Sequence, residues 1–325
     1  MSFFKNISMN SATSSIDAIF GIGYLTDSSS LPFPTNQHSS IGCTEVCHLN
    51  ADNHKKECSY NMKLLIVCVN YNSYGELCNY LQSVDKSASN VEGDLQLDVI
   101  IADNSSSKEV VDCGAYKAIQ VKQVELQNLG YLGGAQAIIN NLEDVSQYDY
   151  IIISNVDLQF EDETIKQLKD FKAGDDVAWV APSIYSEKFK RNLNPSIINR
   201  YKRWKLTLLK LTYNSLFYSI YTKYYYANKG KNVVYPMMDI YAGHGSIIIL
   251  TTNFFRIYPK IDYPIFLYGE EIYLAELIRR KRMRVVYAPS VEIKTTGGVS
   301  TSKMPSDSYF KFNKAAINFI LKTFY

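Results

Sequence analysis

The sequence predicts an α/β fold, with a mostly parallel central sheet and helices on both faces. Three observations predict it. Short runs of β-branched and apolar residues recur, as in strands buried on both faces. Segments with helical spacing alternate with those runs, the order expected of parallel strands joined by crossover helices. The runs also end in carboxylate or amide side chains, where such sheets bind ligands.

The elements follow in order. Lys63 to Val69 reads as the first strand. Ser73 with Glu76 has the spacing of a capping box, and Leu77, Tyr80, Leu81 and Val84 continue as a helix. Leu97 to Ala102 is a second strand ending in Asp103, and Ile119 to Leu126 a third ending near Asn128. Gly134 to Leu142 reads as a helix. Tyr150 to Ser154 is a fourth strand, ending in Asn155 and Asp157, and Val177 to Ala181 a fifth, closed by Pro182. Residues 1–61 are rich in Ser, Asn and Thr without sustained periodicity and read as a weakly ordered extension.

The chain has 325 residues, enough for one large domain with a sizeable core. Its net charge is +2, so no global field argues for nucleic acid. No apolar run is long enough to span a bilayer and no secretory h-region stands at the N-terminus. The expected location is cytoplasmic, or peripheral on the inner face of the cell membrane. Six cysteines do not read as a disulfide framework. Cys43, Cys47, His48, His54 and Cys58 match no standard zinc spacing. The first turn, Asn70 to Gly75, has one glycine, which excludes a dinucleotide fingerprint, and a Walker loop is absent.

Four segments occur in order: Val69-Asn70-Tyr71-Asn72-Ser73, Asp103-Asn104-Ser105-Ser106, Asn128 to Gly134, and Asn155-Val156-Asp157. Together they resemble the nucleotide-sugar half of the family 2 inverting glycosyltransferases with the GT-A fold, in particular rhamnosyltransferase-like enzymes of bacterial surface polysaccharide synthesis. Tyr241 to Ser246 and Phe266 to Glu271 follow, and the second resembles the acidic motif that carries the family's catalytic base. The resemblance covers roughly 62–302. It implies a nucleotide-sugar half over 62–182 and an acceptor half over 183–325.

The resemblance implies a role for each segment. Asn70, Tyr71 and Asp103 are assigned to the nucleotide, although Asp-Asn-Ser-Ser is also turn chemistry. Gly130 and Gly134 open a helix whose N-terminus favours anions, with Gln136 and Asn155 as further donor-side candidates. Asp157 stands in the Asp-x-Asp-like motif and would hold Mn2+ or Mg2+ on the donor diphosphate. Glu271 is the candidate general base and Glu270 its runner-up. Gly243 and His244 fall in the acceptor-side motif. Lys294 stands where the family commonly shows histidine, a departure that touches the metal site.

Residues 199–226 combine Lys and Arg with Tyr, Leu and Trp, which suits a membrane interface and a lipid-linked acceptor, or equally a core helix pair with snorkelling lysines. The expected partners are a nucleotide-sugar donor and a glycan or lipid-linked acceptor, with no nucleic acid. A non-catalytic nucleotide-sugar-binding or scaffold protein is the rival reading. A nucleotidyltransferase would show a glycine- and basic-rich first loop, which is missing.

Overall fold

The computed structural model describes residues 61–214, 218, 233–296 and 304–325. The extension expected before residue 62 and the Cys/His stretch within it lie outside the described residues, as do Gly297, Gly298 and Ser300.

The sheet has the order β3-β2-β1-β4-β9-β6-β10-β5. Its strands are β1 (Met62–Asn70), β2 (Leu95–Asp103), β3 (Gln120–Glu125), β4 (Tyr150–Asn155), β5 (Leu158–Phe160), β6 (Val177–Ser186), β9 (Ile247–Thr251) and β10 (Arg284–Thr295). Two short strands, β7 (Arg191–Asn192) and β8 (Met238–Ile240), pair with β6 and β10. Along that path β3, β2, β1, β4, β6 and β10 share one direction, and β9 and β5 oppose it. The sheet is therefore mostly parallel, as expected.

The first strand shows why helices cover both faces. Leu65, Val67 and Val69 join one core cluster, while Met62, Leu64, Ile66 and Cys68 join the other. That alternation is the period of two of a strand buried on both sides. Each such aliphatic side chain contributes about 1.5–3 kcal/mol. On one face lie α1 (Tyr74–Ser89) and α3 (Thr164–Asp170). On the other lie α2 (Tyr131–Ile139), α4 (Arg203–Thr212), α5 (Thr252–Ile257), α6 (Glu270–Arg280) and α7 (Ser306–Phe324).

Three local expectations differ from the structure. The fifth strand does not stop at Pro182: β6 continues to Ser186. Proline cannot donate to a ladder, and the register with β10 slips at that point, from Pro182↔Ala288 to Ser183↔Glu292. The bulge in β10 absorbs the missing donor. Helix α2 starts at Tyr131, ahead of the expected Gly134, because Gly130 turns the chain with φ 78°. The capping box at Ser73 is not formed. The Ser73 N–H donates to Asn70 Oδ1 at 3.2 Å and its hydroxyl to the Tyr71 carbonyl at 3.2 Å. Glu76 is released to face elsewhere.

Among the described residues no helix is long and apolar enough to cross a membrane.

Candidate active site

The site begins at the carboxyl end of β4. Beyond Asn155 the chain turns through Val156 and Asp157 into β5, and Asp157 lines an open cleft of about 460 Å³ between that turn and α1. Asp157 is half-buried, but its Oδ1 is sealed from solvent and has no hydrogen-bond partner. A buried polar atom without a partner costs about 1–3 kcal/mol. Burial pushes this carboxyl up to about 6, against a hydrogen bond from its own backbone, and the Glu76 carboxylate pushes the same way. Glu76, Asn79, Ser83 and Lys86 form one polar face of α1 along the cleft. The Thr295 hydroxyl donates to the Asp157 carbonyl at 3.2 Å, which ties the end of β10 to the same turn.

Segment 243–246 packs beside that turn. The Asn155 N–H donates to the Ser246 carbonyl at 2.9 Å, and the Tyr131 hydroxyl donates to the carbonyls of Ile153 and Ser246. His244 is buried, and its Nδ1 accepts from the Ser246 N–H at 3.1 Å, which places its proton on Nε2. Burial lowers its pKa to about 4, with the Glu271 carboxylate opposing and Arg191 assisting. Gly243 lies against Trp179 and Ala181 of β6, where a Cβ would come within 2.8 Å of Ala181.

The acidic pair opens α6. Tyr268 and Gly269 both take left-handed backbone, φ 70° and 85°, and turn the chain so that Glu270 and Glu271 start the helix pointing inward. Both are buried. A helix N-terminus favours the negative charge. Burial and then the neighbouring Glu271 hold the Glu270 pKa well above the usual carboxylate range. The backbone of Gly245 lies directly against the Glu271 carboxylate, and a Cβ there would overlap its Oε1. The motifs at 155–157, 243–246 and 270–271 therefore converge in one place.

The ends of β1 and β2 form a second cluster. Asp103 is buried and its acceptor positions are filled from within the protein. Oδ1 accepts from Asn70 Nδ2 at 3.3 Å and the Ser105 N–H at 3.1 Å. Oδ2 accepts from the Tyr74 hydroxyl at 2.7 Å and Gln123 Nε2 at 3.0 Å. Burial raises its pKa, but these hydrogen bonds outweigh it and hold the carboxyl below the usual value. Two carboxylate oxygens offer about four acceptor sites, so Asp103 and Asn70 organise the loop between themselves, and Tyr71 is left exposed. Gly130 and Gly134 likewise meet protein. A Cβ on Gly130 would run into the Phe266 carbonyl, and one on Gly134 would come within 2.9 Å of the Asn104 amide. Both ends of the Gln136 amide bond the backbone of Tyr263, at 3.2 and 3.0 Å. Lys294 pairs with Glu161 at 2.9 Å.

The sequence model of glycosyl transferase family 2 matches residues 65–229, half of this chain. The chain belongs to that family. A search of curated protein sequences gives no match. Among solved structures, S. aureus TarS overlaps with TM-score 0.46 at 13% identity, over 74% of this chain and 37% of that one. The Pyrobaculum calidifontis mannosyltransferase PcManGT, in complex with GDP-Man and Mn2+, overlaps with TM-score 0.44 at 9% identity, over 73% and 58%. GalNAc-T7 with UDP, GalNAc and Mn2+ overlaps with TM-score 0.49 at 11% identity, over 80% and 48%. This chain spans less than two thirds of the length of each.

In this family member the sequence reading missed the α1 face of the cleft. Glu76, Asn79, Ser83 and Lys86 recur at helical spacing, a signal hidden by assigning Glu76 to a cap. It also missed Gly245 as the wall behind Glu271. Gly245→Ala is expected to fold, because the clash falls on a side-chain end, and to lower kcat about tenfold to a hundredfold by displacing that carboxylate. Steady-state kinetics with circular dichroism checks this.

His244 gives the fold a pH dependence of known sign. Its folded-state pKa lies below the ordinary 6.5, so between those values the unfolded chain binds the extra proton. This contribution is fully present above pH 6.5 and is lost as pH falls towards 4. Asp157 and Glu270, with raised values, act oppositely. The difference between wild type and His244→Gln isolates the histidine: between pH 7.5 and 5 the wild type should lose about 2 kcal/mol more, read from urea midpoints.

Proposed function

We propose that this chain is an inverting glycosyltransferase that moves one hexosyl or deoxyhexosyl unit from a nucleotide diphosphate-sugar to a hydroxyl of a glycan or lipid-linked acceptor, in surface polysaccharide synthesis. The observation that carries the reading is the sealed, unpartnered Oδ1 of Asp157 lining the cleft at the carboxyl end of β4.

That oxygen also fits a divalent cation. Mn2+ and Mg2+ favour oxygen ligands, and Mg2+ commonly uses one or two carboxylates beside phosphate oxygens. Asp157 would hold the ion, and a bound ion would supply neutralising charge to the departing diphosphate. No cluster of three or more His, Cys, Asp or Glu side chains suited to a metal occurs among the described residues, so Asp157 would depend on the donor's own oxygens.

The chain's own residues do the remaining work. Glu271 takes the proton from the acceptor hydroxyl as that oxygen bonds to the anomeric carbon, and the nucleotide diphosphate leaves from the opposite face with the electron pair. A neutral Glu270 spares Glu271 a like charge at its side. Gly245 and the helix N-terminus fix its position. His244, neutral and with its proton on Nε2, is a donor on the acceptor side. Asn155 holds the Asp157 turn to Ser246. Asn70 and Asp103 shape the loop that presents the exposed Tyr71 to the nucleotide. The protein would work in the cytoplasm, peripheral on the inner face of the cell membrane when its acceptor is lipid-linked.

A second reading, a nucleotide-sugar-binding protein without transfer activity, is favoured by one observation: Lys294, where the family commonly has histidine, is occupied by Glu161. Nucleotide release from a panel of nucleotide-sugars, with Mn2+, Mg2+ or chelator, tests both. Metal-dependent release from one donor supports the enzyme. Tight binding without release, with lipid-linked acceptors present, supports the second reading. Failure to bind any donor overturns both.

A further inference from the structure

The eleven most exposed large hydrophobic side chains among the described residues are unevenly placed. Six of them, Trp204, Leu208, Leu211, Val233, Val234 and Met237, fall between residues 204 and 237. Charge is as uneven. From Lys188 to Met238 the sequence has no Asp or Glu, while its Lys and Arg include Lys202, Arg203, Lys205 and Lys210. A chain with net charge +2 thus keeps one long acid-free basic segment, and its exposed apolar surface lies in the same segment.

Helix α4 shows how the two are combined. Leu206 and Leu209 are buried, and the helix packs on α7. Its other side carries Trp204, 59% exposed, with Leu208 at 52% and Leu211 at 59%. Spaced four and three apart, these share one stripe. Lys205 and Lys210 flank it on the helix, Lys202 stands at the helix N-cap, and none of the three forms an ion pair among the described residues. Arg200 does not belong to this surface, because it is bonded to the buried Glu276 at 2.6 Å. A core helix would bury the stripe, and a solvated face would mix acids with the bases and omit the tryptophan.

We infer that the outer face of α4 is a membrane-docking surface that lies in the headgroup layer of an anionic bilayer, with Trp204, Leu208 and Leu211 inserted and Lys202, Lys205 and Lys210 on lipid phosphates. The apolar stripe requires an apolar layer, and the lysines require negative charge around it; an anionic leaflet offers both at one depth. A nucleic acid would satisfy the lysines but leave Leu208 and Leu211 in water. The inference is independent of the catalytic assignment.

The chain carries its own reporter. It has two tryptophans, and Trp179 is buried in the core, so a change on docking reports Trp204. With vesicles of phosphatidylcholine containing 30% phosphatidylglycerol, at roughly physiological ionic strength, the full chain should float with the lipid and its emission should shift to the blue. Pure phosphatidylcholine should retain at least tenfold less. The double variant Leu208→Glu/Leu211→Glu, altered only at exposed positions, should keep its circular dichroism and lose flotation. Lys202→Glu should weaken partition about tenfold, consistent with the worth of surface charges near anionic lipid, with the loss erased at high salt. Three results would overturn the inference: no flotation with anionic vesicles, flotation unchanged in the double variant, or binding of single-stranded RNA without any binding of vesicles.

Discussion

In Glu271→Gln the transfer rate should fall by about 10²–10⁴-fold, the usual loss when a positioned acid–base group is removed, while the folded state becomes more stable. Both effects come from one arrangement. Glu271 is 1% exposed and Glu270 is 5% exposed, side by side at the start of α6. Burial first, and then the opposing charge of its neighbour Glu271, hold Glu270 well above its usual range. Glutamine keeps the volume and the contact with Gly245 but carries no charge and accepts no proton. The relief of the like charge on Glu270 should be about 1–3 kcal/mol, the scale of one to two pKa units of interaction between adjacent carboxyls. The measurement pairs kcat at saturating donor with urea midpoints. Glu270→Gln is the control: it should gain similar stability with a smaller loss of rate. A Glu271→Gln enzyme with unchanged kcat removes Glu271 as the base.

The sequence made the first half of the sheet legible for a physical reason. Strands β1 and β4 are buried on both faces, so their apolar runs are continuous and stand out, and β2 joins them from Val99 to Ala102. Strand β10 carries a short apolar run, Val285 to Ala288, and then alternates from Val291 to Thr295, but the bulge opposite Pro182 separates the two, so neither is long enough to stand out. Single carboxylates were legible as candidates, but their duties were not. Asp103 and Asp157 both follow strands with similar flanks. Only the fold shows that one has its acceptor positions filled by Asn70, Tyr74, Ser105 and Gln123 and that the other keeps a sealed oxygen beside a cleft. Acceptor counting needs partners distant in sequence, and periodicity carries no record of them. Gln136 shows the same limit, since the backbone of Tyr263 that its amide bonds lies on another segment.

Asp157→Asn should abolish metal-dependent nucleotide release, by on the order of 10³-fold, and leave the fold intact or more stable. The loss is expected because an amide is a poor substitute for a carboxylate in binding a hard divalent cation. The gain is expected because Oδ1 has no partner and no solvent, so the charge there is costly. Glu76 adds a like charge from α1 across the same cleft, and the variant relieves that too. A readout independent of turnover is the melting temperature with and without Mn2+ in the presence of nucleoside diphosphate. Wild type should gain several degrees, since ligands that bind the native state stabilise it by mass action, and Asp157→Asn should gain none. Glu76→Gln separates charge from coordination. If Asp157 alone holds the ion, Glu76→Gln keeps the metal-dependent gain and Asp157→Asn does not. If both variants keep it, Asp157 is not the metal-holding carboxylate.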